Sequence, residues 1–110
     1  MTYFKILFYL LMMNSVFSQN TKSLQGRIID SKSKEPLIGA NVIIKGTAQG
    51  SATNVDGEFF ITDLSQSMVK LQVSYIGYKT KTISDIELKD GLNSDIVIEL
   101  DADVISVTEV

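Results

Sequence analysis

The side chains of this sequence that could take part in chemistry are mostly carboxylates, and two close pairs stand out. Asp56 is followed two residues later by Glu58, and Asp101 is followed in the same way by Asp103. Two carboxylates can serve as the acid and base of glycoside hydrolysis. Such close pairs more often cap a turn or solvate a tail, so the sequence favours those structural roles.

Two further groups of residues could hold a ligand. Asn54 and Asp56 could begin a calcium loop, but the remaining oxygen ligands of a twelve-residue loop are absent, which favours a hairpin turn. Tyr75, Ile76 and Tyr78 could present an aromatic platform to a sugar. Strand alternation directs Tyr75 inward, so core packing is the favoured role for this group.

The composition excludes several kinds of site from these residues. The sequence contains no histidine and no cysteine, which rules out a Ser-His-Asp triad, a Cys-His pair and ordinary zinc sites. Its seven glycines are scattered and form no phosphate-binding loop. We therefore expect no catalytic residues, no cofactor and no metal, and a protein that is not an enzyme.

The first eighteen residues have the features of a secretory signal peptide. Lys5 precedes an apolar stretch at residues 6–13, and Val16-Phe17-Ser18 offers a cleavage site before Gln19. An uncleaved membrane anchor is the alternative, but the stretch is shorter than the roughly 20 residues that span a bilayer. Export without cysteine is typical of a bacterial envelope protein rather than of a small disulfide-linked extracellular module.

The chain after the signal peptide is acidic. Of the ten basic residues only Lys5 lies in the leader, so residues 19–110 carry nine basic and thirteen acidic residues, a net charge of −4. No basic stripe is present, which argues against a nucleic-acid partner. A chain of this length is expected to form one small domain.

Apolar and polar residues alternate in short runs separated by turn residues, which predicts an antiparallel β-sandwich of seven strands without helices. Short strands are expected at residues 51–53, 58–62, 78–82 and 96–100. At residues 54–57 a turn is expected in which Gly57 is left-handed, because glycine adopts φ > 0 without steric cost. The residues expected to face the core in the other three strands are Leu24, Gly26 and Ile28, then Ala40, Val42 and Ile44, then Val69, Leu71, Val73 and Tyr75.

Four motifs resemble those of one family, the carboxypeptidase-regulatory-like, transthyretin-like domain. They are GRIID at residues 26–30, PLIGANV at residues 36–42, NVDGEF at residues 54–59 and VSYIGY at residues 73–78. The resemblance covers residues 23–100 and implies a seven-stranded transthyretin-like β-sandwich, which we place at residues 19–100 after the signal peptide at residues 1–18. It also implies that the domain has no hydrolase site of its own.

The sequence changes character after Leu100. Asp101-Ala102-Asp103 is acidic, and residues 104–110 are rich in β-branched side chains. In SusC-like TonB-dependent outer-membrane receptors, which this chain resembles, the domain is followed by an energy-coupling box. Thr108, Glu109 and Val110 resemble the first part of that box, so residues 101–110 are expected to be an acidic hinge and the start of a partner-binding segment. An eighth strand of the sandwich is the alternative.

The resemblance implies a non-catalytic, periplasmic amino-terminal domain of a SusC-type receptor, present here as a truncated piece. Its expected location is the periplasm or outer membrane of a Gram-negative bacterium. Its expected partners are a TonB-type energy-coupling protein or the plug and barrel of the same receptor. The alternative is a stand-alone secreted module that binds a carbohydrate or a protein, and the DNA downstream of Val110 distinguishes the two.

Overall fold

The structure, a computed structural model, describes residues 21–104. The signal peptide predicted at residues 1–18 lies outside them. All regular elements of the described part are strands, and no helix long and apolar enough to cross a membrane occurs there. The strands are β1 (Lys22–Asp30), β2 (Asn41–Ile44), β3 (Gly50–Ala52), β4 (Glu58–Leu64), β5 (Met68–Ser74), β6 (Lys81–Glu87) and β7 (Gly91–Leu100).

These seven strands form two sheets, one with the order β4-β1-β7 and the other with the order β3-β2-β5-β6. The predicted all-β, seven-stranded sandwich is therefore confirmed. Alternate residues of each strand face the space between the sheets, and the inward faces predicted for β1, β2 and β5 are buried, except for Tyr75, which is only half-buried. The fully buried side chains with the largest volumes are Phe59, Leu24, Ile28, Ile44, Leu64, Leu71, Ile98, Leu100, Val42 and Val73.

The expectation that every pair of strands is antiparallel is wrong for β1 and β7, which run in the same direction. The chain leaves the four-stranded sheet after β6, crosses to the other sheet, and then runs alongside its own first strand. Such a pair cannot be joined by a hairpin, and alternation within a strand carries no information about which strand lies beside it. As a result, β1 begins at one end of the sandwich and β7 finishes at the other, which we call the exit end.

Three strands contain a β-bulge, and all three lie at a sheet edge. In β4 the bulge lies opposite Lys22–Leu24 of β1, where β4 contains one extra residue. The bulge of β6 lies opposite Val69–Leu71 of β5, and the bulge of β7 lies opposite Leu24–Gly26 of β1, each again with one extra residue. At each bulge an aspartate has a left-handed backbone: Asp63 (φ 58°), Asp85 (φ 60°) and Asp95 (φ 71°). Aspartate is one of the few side chains that tolerate this conformation.

The bulges explain why strict alternation misses part of two strands. The strand predicted at residues 78–82 lies instead at Lys81–Glu87, and the strand predicted at residues 96–100 begins at Gly91. In both strands the inward residues around the bulge are three apart rather than two. A search for strict alternation therefore misses the half of each strand that lies beyond its aspartate.

A buried threonine holds the loop that carries the PLIGANV motif. The Thr53 hydroxyl donates to the Leu37 carbonyl at 2.5 Å and accepts from the Ala40 N–H at 2.8 Å. The backbone carbonyl of Thr53 accepts a hydrogen bond from the Gly39 N–H. These bonds satisfy the Leu37 carbonyl and the N–H groups of Gly39 and Ala40 outside any regular strand, and Leu37 and Ala40 join the core.

Candidate functional site at the exit end

The chain leaves the sandwich along the loop that joins β5 to β6. The Lys79 N–H donates to the Asp101 carbonyl at 2.9 Å, the Asp103 N–H donates to the Gly77 carbonyl at 2.8 Å, and Tyr78 and Ala102 form an isolated bridge between them. The sequence predicts a solvated acidic hinge at residues 101–103, and the structure adds that this stretch is held by backbone pairing. Their side chains are exposed as expected, but their backbone is paired with the VSYIGY motif.

The two tyrosines of that motif support the exit rather than form an open platform. Both pack against the core and are only partly exposed, and their ring centroids lie 5.4 Å apart at an interplanar angle of 57°. Tilted rings at this distance attract through their quadrupoles. Ile76, between them in sequence, points outward and is 95% exposed. Core packing, the role that the sequence favours for Tyr75 and Tyr78, is what the structure shows.

Tyr78 is joined to the end of β1 by a hydrogen bond between side chains. Its hydroxyl donates to Asp30 Oδ2 at 2.6 Å, while Asp30 Oδ1 accepts the backbone N–H groups of Lys32 and Ser33, both at 2.8 Å. The Tyr78 hydroxyl, and then these two N–H groups, lower the pKa of Asp30 from 3.8 to about 2. The same hydrogen bond raises the pKa of Tyr78 above 10.0.

We expect the protein to lose stability through Asp30 as the pH falls from about 4 to about 2. Because the folded protein holds the pKa of Asp30 below its unfolded value, the stabilisation is complete above the unfolded pKa and disappears as Asp30 becomes protonated. Urea unfolding measured across this range should show a smaller loss in Asp30→Asn than in the unchanged protein. Tyr78→Phe, which removes the shortest of the three hydrogen bonds, should lie between them. Equal pH dependence in all three proteins would contradict this role for Asp30.

An open groove lies beside the exit. It has a volume of about 340 Å³ and is lined by Gly39, Asn41, Ser74, Tyr75 and Ile76. The side chains that line it bring apolar surface and a few neutral polar groups, with no charged residue among them. The groove offers hydrogen bonds and an aromatic edge to a ligand, but the residues that line it include no carboxylate and no other charged group that could activate the Ser74 hydroxyl.

The Asn54–Gly57 turn has the structure expected of a hairpin rather than of a calcium loop. Asn54 Oδ1 accepts the N–H groups of Asp56 and Glu58, at 3.0 and 2.9 Å, so this oxygen serves the turn itself. Gly57 has φ 74°, as predicted. No group of three or more carboxylates that could hold a metal ion occurs within residues 21–104.

Sequence reasoning missed Asp30 and Thr53. Asp30 stands at the end of a strand, where a carboxylate usually caps a turn, and its partner Tyr78 is 48 residues away. The predicted partner-binding residues Thr108, Glu109 and Val110 lie outside the described residues.

Comparison with known proteins agrees with this fold. The sequence model of the CarboxypepD_reg-like domain matches residues 24–110, and the chain belongs to that family. Among solved structures, a type II cohesin–X-dockerin complex from Acetivibrio cellulolyticus aligns over 79% of this chain and 62% of its own, with a TM-score of 0.64 and 19% identity. A putative carbohydrate binding protein from Bacteroides uniformis aligns over 71% of this chain and 40% of its own, with a TM-score of 0.56 and 18% identity. At these identities the likeness concerns the fold alone.

The sequence relatives are TonB-dependent receptors. TonB-dependent receptor P3 of Formosa agariphila is 29% identical over 93% of this chain, and receptor P39 of the same organism is 33% identical over 84% of it. TonB-dependent receptor SusC of Bacteroides thetaiotaomicron is 31% identical over 71% of the chain. The match covers 10%, 10% and 7% of these relatives, so the chain spans about a tenth of their length or less.

Proposed function

We propose that this chain is the non-catalytic, amino-terminal periplasmic domain of a TonB-dependent outer-membrane receptor of SusC type. One observation carries the proposal: the three relatives from Formosa and Bacteroides are all TonB-dependent receptors, and each matches most of this chain through a small part of its own length. The signal peptide expected at residues 1–18 supports export. On this proposal the domain is held at the outer membrane by the rest of the receptor.

The place where the chain leaves the sandwich supports a position at the amino-terminal side of the rest of a receptor. The described chain enters at one end of the sandwich and leaves at the opposite end, where residues 101–103 are paired with residues 77–79. The pairing of residues 101–103 therefore fixes the position from which the polypeptide continues. Thr108, Glu109 and Val110 are proposed as the start of an energy-coupling segment, which would bind its partner by adding a strand to the partner's sheet.

The absence of catalysis is proposed on chemical grounds. Asn54 and the backbone around Asp56 are engaged in the hairpin turn, and Asp101 and Asp103 lie on an exposed tail whose backbone is paired. Neither carboxylate pair faces the exit groove. A stand-alone binding module remains the second candidate, and the open groove at the exit end is the observation that favours it.

The first test is to read the coding DNA downstream of Val110, in all frames. A plug and a barrel of alternating strands of about ten residues should be encoded there. A stop codon without a barrel nearby would contradict the receptor proposal and favour the stand-alone module.

The second test measures binding of the exported, processed chain to the periplasmic domain of a TonB-type protein by calorimetry. Glu109→Pro should weaken binding at least about tenfold, because proline removes a backbone N–H that strand addition needs. Lys89→Ala, an exposed change in the loop between β6 and β7 at the end of the sandwich opposite the exit, serves as the control. Equal affinity for the proline variant and the control would contradict the role proposed for Thr108, Glu109 and Val110.

A further inference from the structure

The three bulges share a sequence pattern as well as a position. The segments are Ile61-Thr62-Asp63-Leu64 in β4, Ile83-Ser84-Asp85-Ile86 in β6 and Asn93-Ser94-Asp95-Ile96 in β7. In each, two residues that face inward are separated by a hydroxyl residue and a left-handed aspartate. The same Ser/Thr-Asp bulge therefore occurs in three strands of the described domain, and these strands are not all neighbours in sequence.

Within residues 21–104, each of these strands has one side that pairs with no other strand. The sheet orders place β4 and β7 at the two edges of one sheet, and β3 and β6 at the two edges of the other. An edge strand presents unpaired N–H and C=O groups to which another chain can add a strand. β3, the edge without a bulge, is only three residues long, which also protects an edge. Each of the four sheet edges of residues 21–104 is thus shortened or interrupted.

The bulges act on the free edge in two ways. A left-handed residue turns its peptide groups out of the ladder direction, so the seven residues of β6 no longer form a continuous template. The aspartate side chains at the three bulges are also exposed, and each would bring a negative charge against an incoming strand.

Side chains occupy some of the carbonyl groups that remain. At the β4 bulge, Gln49 Nε2 donates to the Asp63 carbonyl at 3.2 Å. In β7 the uninterrupted run after the bulge is Ile96–Leu100, and there Lys81 Nζ donates to the Glu99 carbonyl at 2.9 Å. Lys81 of β6 therefore occupies one carbonyl of the longest regular stretch of β7, and this carbonyl is no longer available to an added strand.

We propose that the Ser/Thr-Asp bulges close the sheet edges of this domain to strand addition, both by a second copy of the chain and by a partner that binds through an extended segment. The proposal goes beyond the receptor function. In a receptor, a setting that rests on that proposed function, the sheet edges are closed and the segment after Val104 is the part of the chain left to add a strand to a partner. The segment then does not pair with the sandwiches of neighbouring receptors.

The test restores a regular edge by deleting the extra residue. Deletion of Asp85 leaves Ile83-Ser84-Ile86, which returns the inward residues of β6 to a spacing of two and gives an unbroken edge. Asp85→Gly is the matched control, because glycine keeps the left-handed bulge while it removes the charge. Both proteins are purified from the periplasm after export, so that processing is natural, and their molar masses are measured by light scattering between about 10 μM and about 1 mM.

We expect the unchanged protein and Asp85→Gly to remain monomeric, and the deletion variant to associate as its concentration rises. In the associated form the amides of β6 should exchange with solvent at least about tenfold more slowly than in the monomer. A folded deletion variant that stays monomeric throughout would overturn the proposal.

Deletion of Asp63 and deletion of Asp95 repeat the test at the other two bulged edges. If all three deletions abolish cooperative unfolding, the bulges serve the fold rather than the edge, which also overturns the proposal. Neither result depends on the coding sequence downstream of Val110, so failure of the edge proposal is distinguishable from failure of the receptor assignment.

Discussion

Replacement of Gly57 by valine is expected to lower the free energy of unfolding by about 2–6 kcal/mol, because backbone strain and overpacking add. Gly57 has φ 74°, a conformation that β-branched residues avoid. A Cβ atom at this position would also lie 2.6 Å from the Ile28 carbonyl oxygen and 2.9 Å from Pro36 Cβ. That carbonyl accepts the Leu37 N–H at 3.0 Å, so it cannot move away without loss of a hydrogen bond.

Gly46→Val is the matched control for this prediction. Gly46 has φ 84°, but a Cβ atom there would meet nothing within 4 Å. The Gly46→Val variant should therefore lose only the free energy of unfolding that backbone strain costs, about 1–3 kcal/mol. Urea unfolding followed by circular dichroism gives both values. If the two valines cost the same, the contact of Gly57 with β1 and Pro36 has no energetic consequence, and overpacking at Gly57 is the wrong explanation.

The second large effect is expected at Phe59, the aromatic ring of the core. Phe59 is 1% exposed, and Phe59→Ala should cost about 3–5 kcal/mol through lost burial and the cavity that remains. The ring lies over Gly26: a Cβ atom on Gly26 would be 2.6 Å from its Cε1 and Cζ atoms. The glycine of the GRIID motif is thus required by the close approach of this ring and of the Ile96 carbonyl oxygen, and not by a positive φ.

A double-mutant cycle tests this pairing. Gly26→Ala should destabilise the unchanged protein by about 1–3 kcal/mol through overpacking, and by less in a Phe59→Leu background, where the ring is gone. Some cost should persist, because the Ile96 carbonyl oxygen lies 2.7 Å from the same Cβ position. Coupling between contacting residues of this kind is typically about 0.5 kcal/mol or more. Strict additivity would show that Gly26 is present for another reason.

Both predictions concern family motifs, and both give those motifs a mechanical rather than a catalytic purpose. Gly57 allows the NVDGEF hairpin to lie against β1 and Pro36, and Gly26 makes room for the phenylalanine of the same hairpin. The VSYIGY motif fixes the place where the chain leaves the sandwich. The motifs therefore define a scaffold with a fixed exit, which is consistent with the domain's proposed role as a small part of a much larger receptor.

The sequence by itself determined the features that depend on neighbours along the chain. Alternation of apolar and polar residues identified the inward faces of β1, β2 and β5, because successive side chains of a strand point to opposite sides. The Asp-Gly pair identified the turn before β4 and the left-handed backbone of Gly57. The bulges were also present in the sequence, as a Ser/Thr-Asp pair between inward residues, but a strictly two-residue period has no place for the extra residue.

Only the tertiary structure decided which distant segments meet. The parallel pairing of β1 with β7 depends on the crossing between sheets, and the Asp30–Tyr78 hydrogen bond joins residues 48 apart in sequence. The acidic residues 101–103 look like a free hinge because their side chains are polar, yet their backbone groups find partners at residues 77–79. Every residue type except proline can make backbone hydrogen bonds, so the pattern of side chains could not predict the pairing of residues 101–103 with residues 77–79.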